Sequence, residues 1–186
     1  MPITSWTPQN VIDAFARTYH PFTTAPVVVD DPCAGDGRIG LTMARALGTA
    51  CILSDLHPPE HDPLIHPADA LQWTRPQTDA RVLVITNPPF GLLDPLVERI
   101  WGQLEKNDEL VFLISSVSLA NNSRPSLLKR LEVMPFRTLY DIRWRCPFEM
   151  PDGTVMKGAA MCHQFFRSVK GKPTPPGQTT QIDLYR

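Results

Sequence analysis

Hydrophobic and polar positions alternate along this chain in short, regular blocks. From Thr7 to Thr18 the apolar residues Val11, Ile12 and Phe15 recur at helical spacing, and Pro8 suits a first helical turn, so the pattern predicts a helix. Val27-Val28-Val29 is a β-branched run of the kind that forms a buried parallel strand, and it ends at Asp30-Asp31-Pro32. A second helix is expected over Ile39 to Leu47, closed by Gly48 as C-cap, and a second strand over Cys51 to Asp55. The stretch from His57 to Pro67 is rich in proline and reads as loop, and Ala68 to Trp73 as a short helical turn or strand edge. Val82 to Thr86 is the clearest strand, Asp94 to Lys106 an amphipathic helix with Leu96, Val97, Ile100 and Leu104 inward, and Leu110 to Ile114 another buried strand.

Strands and helices alternate up to this point, which predicts a parallel α/β sheet. Later the pattern changes. Pro125 to Glu132 reads as a short basic helix. Thr138 to Trp144 and Ala160 to Arg167 read as two strands joined through Pro151-Asp152-Gly153, so an antiparallel pair is expected at the C-terminal end. Residues 1–168 are expected to form one domain and residues 169–186 a flexible tail, since VKGKPTPPGQTT is polar and rich in proline.

Composition narrows the class. The chain has 186 residues and 20 prolines, which excludes long uninterrupted helices and helical repeats as the main architecture. No apolar run approaches the ~18–20 residues of a membrane span. Four cysteines at 33, 51, 146 and 162 form no C-x-x-C pair, and without an evident export signal they read as reduced thiols in a cytoplasmic protein. The net charge of -1 hides an asymmetry: residues 124–186 carry 11 basic and 5 acidic side chains, while residues 1–75 carry 4 and 8. A basic C-terminal third suits contact with a polyanion. Within it Arg124, Lys129, Arg143 and Arg145 are the candidates to grip phosphates.

Three features carry chemistry. Gly35, Gly37 and Gly40 form G-x-G-x-x-G within Asp31-Pro32-Cys33-Ala34-Gly35-Asp36-Gly37-Arg38-Ile39-Gly40, which follows a strand and opens a helix. Small residues there let backbone approach a ligand closely. Asp55, 18 residues after Gly37 and at the end of the next strand, is placed to accept ribose hydroxyls. Asp31 and Asp36 beside the glycines repel phosphate and favour an ammonium or sulfonium ligand, which points away from a dinucleotide and towards S-adenosylmethionine. The third feature is Asn87-Pro88-Pro89-Phe90, directly after the best strand. Its two prolines remove two N–H donors and fix carbonyl acceptors, Asn87 adds an amide acceptor, and Phe90 offers a stacking face. This set suits a planar base with an exocyclic amine.

With these motifs in this order, the chain resembles the class I methyltransferases that act on adenine-N6, in the gamma-like arrangement with cofactor motif before catalytic motif. The resemblance implies a Rossmann-like fold with a mostly parallel sheet, S-adenosylmethionine as cofactor, and the adenine amine of DNA as target. RNA adenine or guanine amines, protein glutamine and a non-catalytic binding subunit are the rival readings. It further implies roles for single residues. Thr7, with Pro8, matches the Thr-Pro that precedes the cofactor motif. Asp31, Pro32, Cys33, Ala34, Gly35 and Gly37 would line the methionine part, Asp55 would hold the ribose and Asp69 the adenine amine. Asn87, Pro88 and Pro89 would hold the target amine and Phe90 would stack on the base. Since such a core needs about 165 residues, no separate target-recognition domain is expected, and specificity would come from the basic loops, a homodimer or a specificity subunit. His57, His61 and His66 with Glu60 and Asp62 fit no zinc spacing, so no metal is assigned.

Overall fold

The protein is described by a computed structural model. It describes residues 6–60, 62–115, 138–142, 154, 163–172 and 180–185. Eight strands form one sheet: β1 Val27–Asp31, β2 Cys51–Asp55, β3 Ile65–Pro67, β4 Arg81–Thr86, β5 Glu109–Ser115, β6 Thr138–Ile142, β7 His163–Val169 and β8 Thr180–Leu184. Their spatial order is β3-β2-β1-β4-β5-β7-β6-β8. The first five pair in parallel. β7 runs antiparallel to both β5 and β6, and β8 is parallel to β6.

Among the described residues the α-helices are α1 Gln9–Thr18, α2 Arg38–Leu47 and α3 Leu93–Gln103. α1 and α2 cover one face of the sheet. Val11, Ile12, Phe15, Ile39 and Met43 pack there on Val29, Leu83, Ile85, Val111 and Leu113. α3 covers the other face, where Leu96, Val97 and Ile100 meet Val82, Val84, Leu110 and Phe112. This sandwiching explains why β4 and β5 read as unbroken apolar runs: every residue of both is buried. Gly37 begins α2 at φ +78° and Gly48 ends it at φ +63°, both in the left-handed region where glycine escapes a Cβ clash.

Two expectations change. Ile65–Pro67, within the stretch read as loop, is a parallel edge strand on β2. Three residues are too few to show a period, and Pro67 disguises them. Thr180–Leu184, read as tail, is a strand paired along its whole length with β6. Ile182 packs against the α1 core and Leu184 is fully buried, so two apolar side chains at period two suffice to dock it. The Pro125–Glu132 helix lies outside the described residues.

Candidate active site at the carboxyl ends of the strands

The carboxyl ends of β1, β2 and β4 meet at one edge of the sheet, the place where open α/β sheets bind ligands. The turn after β1 is fastened to β2 by its own backbone. Ala34 N donates to the Ser54 carbonyl at 2.9 Å, Gly35 N to Asp55 Oδ2 at 2.8 Å, and Gly37 N to the Ala34 carbonyl at 2.8 Å. Gly35 holds φ +58°, and a Cβ there would lie 3.4 Å from the Trp6 indole. Arg38 stacks over that indole at 5.1 Å and pairs with Asp36 at 2.6 Å.

Asp31 is the most perturbed group of this edge. It is fully buried, and its Oδ1 accepts from Cys33 N at 3.3 Å. Its Oδ2 has no hydrogen-bond partner among the described residues, and the Thr86 hydroxyl nearby makes no well-formed bond to it. Burial pushes this carboxyl up to about 7, with smaller upward pushes from Asp30 and Asp55. An unsatisfied buried carboxylate is costly unless a cation meets it. That oxygen fits an ammonium group.

Asp55 Oδ1 accepts from His57 N at 2.9 Å, so both its oxygens already order the loops around them. Asp69 caps a 3₁₀ turn at Ala70–Gln72, with Leu71 N donating to its Oδ1 at 2.9 Å. The turn is tied back to β2, because Ala68 N donates to the Asp55 carbonyl at 2.9 Å. Asp31, Asp55 and Asp69 converge on Cys33, whose thiol is pushed up to about 12 by burial first and by these three carboxylates after it. A thiol that stays protonated is a packing group, not a nucleophile.

Asn87 follows β4 directly. Its Nδ2 donates to the Thr7 hydroxyl at 3.1 Å, across 80 residues of chain, which orients Oδ1 as the acceptor end of the amide. Thr7 is itself buried. Pro88 and Pro89 lead to a 3₁₀ turn at Phe90–Leu92. The Phe90 ring is 39% exposed and lies near-parallel to the His163 imidazole of β7, 6.2 Å between centroids.

The structure therefore brings Thr7 to Asn87, Gly35 to Asp55, and Asp31, Asp55 and Asp69 to Cys33. Arg124, Lys129, Arg143 and Arg145 lie outside the described residues. Four residues at this edge carry no sequence motif: Trp6, Asp30, Trp73 and His163. Trp6 and Asp30 adjoin motif residues, which is the only signal a sequence offers for them.

No family model matches the sequence, and no curated protein matches it. Solved structures do match in shape. A protein from Listeria monocytogenes described as a class I S-adenosylmethionine-dependent methyltransferase superposes with TM-score 0.64 at 15% identity, over 96% of this chain and 65% of its own. The methyltransferase subunit of a type I restriction-modification system from Streptococcus thermophilus gives 0.65 at 13% identity, over 98% and 48%. The M protein of the type I restriction enzyme EcoKI gives 0.62 at 15% identity, over 96% and 48%. The fold is the Rossmann-like methyltransferase fold. The chain spans about half to two thirds of the length of these methyltransferase structures. Among the described residues of the methyltransferase fold here, no helix is long and apolar enough to cross a membrane, and no cluster of His, Cys, Asp and Glu could hold a metal ion.

Proposed function

We propose that this chain binds S-adenosylmethionine and methylates the exocyclic amine of adenine in DNA. The observation that carries the reading is the Thr7–Asn87 hydrogen bond, which fixes the Asn87 amide beside the aspartate-lined turn after β1. One polar contact thus joins the segment before the glycine turn to the acceptor motif after β4.

The residues at this edge suit the cofactor. Asp31 presents an unpartnered oxygen to its ammonium, Gly35 and Gly37 leave room for the methionine chain, Asp55 takes the ribose hydroxyls and Asp69 the adenine amine. Thr7, Pro32, Cys33 and Ala34 complete the wall around the methionine part. When bound, the cofactor supplies an electrophilic methyl group on a sulfonium, ready to pass to a nitrogen that gives up one proton. Asn87 Oδ1 and the Pro88 carbonyl accept the two N–H bonds of the target amine. They draw it out of conjugation with the ring, so that its lone pair becomes nucleophilic. Pro89 stiffens this acceptor pair, and Phe90 gives the base an exposed ring to lie on. Stacking of that kind contributes roughly 1–3 kcal/mol to a base taken out of a duplex. Positioning and preorganised acceptors supply the rate, with no metal in the scheme.

DNA is favoured by the restriction-modification subunits among the structural neighbours and by the basic residues from Arg124 onward. Arg124, Lys129, Arg143 and Arg145 contact its phosphates. Sequence choice falls to a second copy or to a specificity subunit, as in an assembly whose methyltransferase is one subunit of several.

The test is direct. The purified chain is mixed with isotopically labelled S-adenosylmethionine and duplex DNA, or with RNA in parallel, and the digested nucleosides are identified by mass. N6-methyladenine from DNA, lost in Asn87→Ala while cofactor binding persists, is the expected outcome. Methyl transfer that survives Asn87→Ala refutes the assignment of the acceptor motif.

A further inference from the structure

The turn that carries Asp69 is short, tied to β2 through Ala68 N and packed against the α3 core only through half-buried Ala70 and Leu71. It is a three-residue 3₁₀ turn with no buried residue of its own. One isolated turn of this kind is marginal without outside support. A further support comes from Trp73, the residue that closes the turn. Its indole Nε1 donates to Asp30 Oδ2 at 3.1 Å. Its carbonyl accepts from Arg99 Nε of α3 at 2.7 Å, and the neighbouring Gln72 carbonyl accepts from Arg99 Nη2 at 3.4 Å. The indole sinks into the α3 core and is 8% exposed.

Asp30 is an expensive way to make this contact. It is 2% exposed, and its Oδ1 has no hydrogen-bond partner among the described residues. An apolar β-branched side chain would serve β1 at lower cost, so strand stability does not account for an acid here. What Asp30 adds is a fixed acceptor for the indole. It sits one residue before Asp31, on the opposite face of the strand, while Trp73 sits four residues after Asp69. The clamp therefore joins the end of β1 to the Asp69 turn.

Building on the cofactor reading above, we propose that Trp73, gripped by Asp30 and Arg99, is a positioning residue: it sets the angle at which Asp69 meets the 6-amino group of the bound nucleoside, and so sets selectivity for an adenosyl over a 6-oxo ligand. A carboxylate aimed at an amine rejects a carbonyl in its place, but only while its own direction is held.

The experiment compares dissociation constants of S-adenosylmethionine and S-inosylmethionine, which differ only in the 6-amino group replaced by a carbonyl and the proton this places on N1, by titration calorimetry on the full chain. The variants are Asp69→Ala, Trp73→Phe, Asp30→Val and Asp30→Asn, each with its melting temperature. Wild type is expected to prefer the adenosyl ligand by about tenfold or more. Trp73→Phe and Asp30→Val bring that ratio to within about threefold of one, and Asp30→Asn, which keeps an acceptor, retains most of it. Asp30→Val removes a buried carboxylate but leaves the Trp73 indole N–H without its acceptor, so the two effects offset and the melting temperature is expected to stay within about five degrees of wild type; lost selectivity is then not lost folding. The clamp is overturned if Trp73→Phe and Asp30→Val weaken both ligands equally or not at all, while Asp69→Ala abolishes the preference. If Asp69→Ala leaves the preference intact, or wild type binds neither ligand, the cofactor reading itself falls and takes the clamp with it.

Discussion

Cofactor binding should depend on pH through Asp31. Burial raises its carboxyl from an ordinary 3.8 to about 7. Three units correspond to roughly 4 kcal/mol against the charged form in the empty site. A cation beside its unpartnered oxygen favours that charged form, so on the proposed reading S-adenosylmethionine is expected to bind the ionised state and drive out a proton. The ionised fraction is about one half near pH 7 and about 3% near pH 5.5. Affinity should therefore fall about fifteenfold between those values, with a slope approaching one decade per pH unit at the acid end. The window stops near pH 7 because the ligand's own ammonium titrates about one unit higher. Equilibrium dialysis with labelled cofactor in matched-ionic-strength buffers measures the profile. Asp31→Asn should bind more weakly near neutrality and show little slope. A wild-type profile that is flat, or an Asp31→Asn profile as steep as wild type, refutes the pairing of Asp31 with the ammonium.

The same group shapes stability without ligand. The folded state keeps protons on Asp31 and on Asp30, itself raised to about 6 chiefly by burial, that the unfolded chain has already released, so the contribution of this pair to stability should be greatest near pH 4 and fall as pH rises to about 7. Chemical denaturation across that range should show Asp31→Asn flattening the decline. Gly40→Ala should cost about 1–3 kcal/mol, because its Cβ would stand 2.6 Å from Leu53 Cδ2 and 2.9 Å from Cys51 Sγ; a melting temperature equal to wild type would contradict this close approach of α2 to β2. Glu109→Gln should cost about 3–5 kcal/mol in urea unfolding, since the fully buried Glu109 carboxylate pairs with Arg81 and, at 2.7 Å, with Arg167, and also accepts from Tyr19.

What the sequence revealed depended on length and contact range. β4 and β5 declare themselves because strands buried on both faces carry unbroken apolar runs at their centres, β1 and β2 through shorter apolar runs, and α1, α2 and α3 because one face must be apolar. The glycine turn was legible for a related reason, since a left-handed Gly37 and a crowded Gly40 admit little else. β3 and β8 were missed because a strand that gains its stability from a neighbour's edge needs few apolar residues of its own. Within the candidate site, Asp31, Asp55 and Asn87 stood out because each closes or directly follows a strand, whereas Asp69 came only from the family resemblance, since the strand before it read as loop. The pairing of Asp30 with Trp73 was hidden by distance: 43 residues separate the indole from its acceptor, and the one local signal is that Asp30 adjoins Asp31. His163 was equally silent, since its contact with Phe90 exists only once β7 has docked against β5.

The two ends of the sheet differ in how their charges are served. At the amino end of β5, Glu109 binds Arg81 and Arg167, and Asp108 binds Arg75. At the carboxyl end of β1, two buried acids each retain an oxygen that no described residue satisfies. A parallel sheet lets one molecule hold both conditions, because the strands carry them to opposite poles. Mutational tolerance should divide along the same axis. Changes at the amino pole register as lost folding, and changes to Asp30, Asp31 and Asn87 at the carboxyl pole as altered ligand choice at little cost to the fold. A laboratory selection for new substrates could randomise those positions, keep the glycines and Asp55, and still recover folded protein.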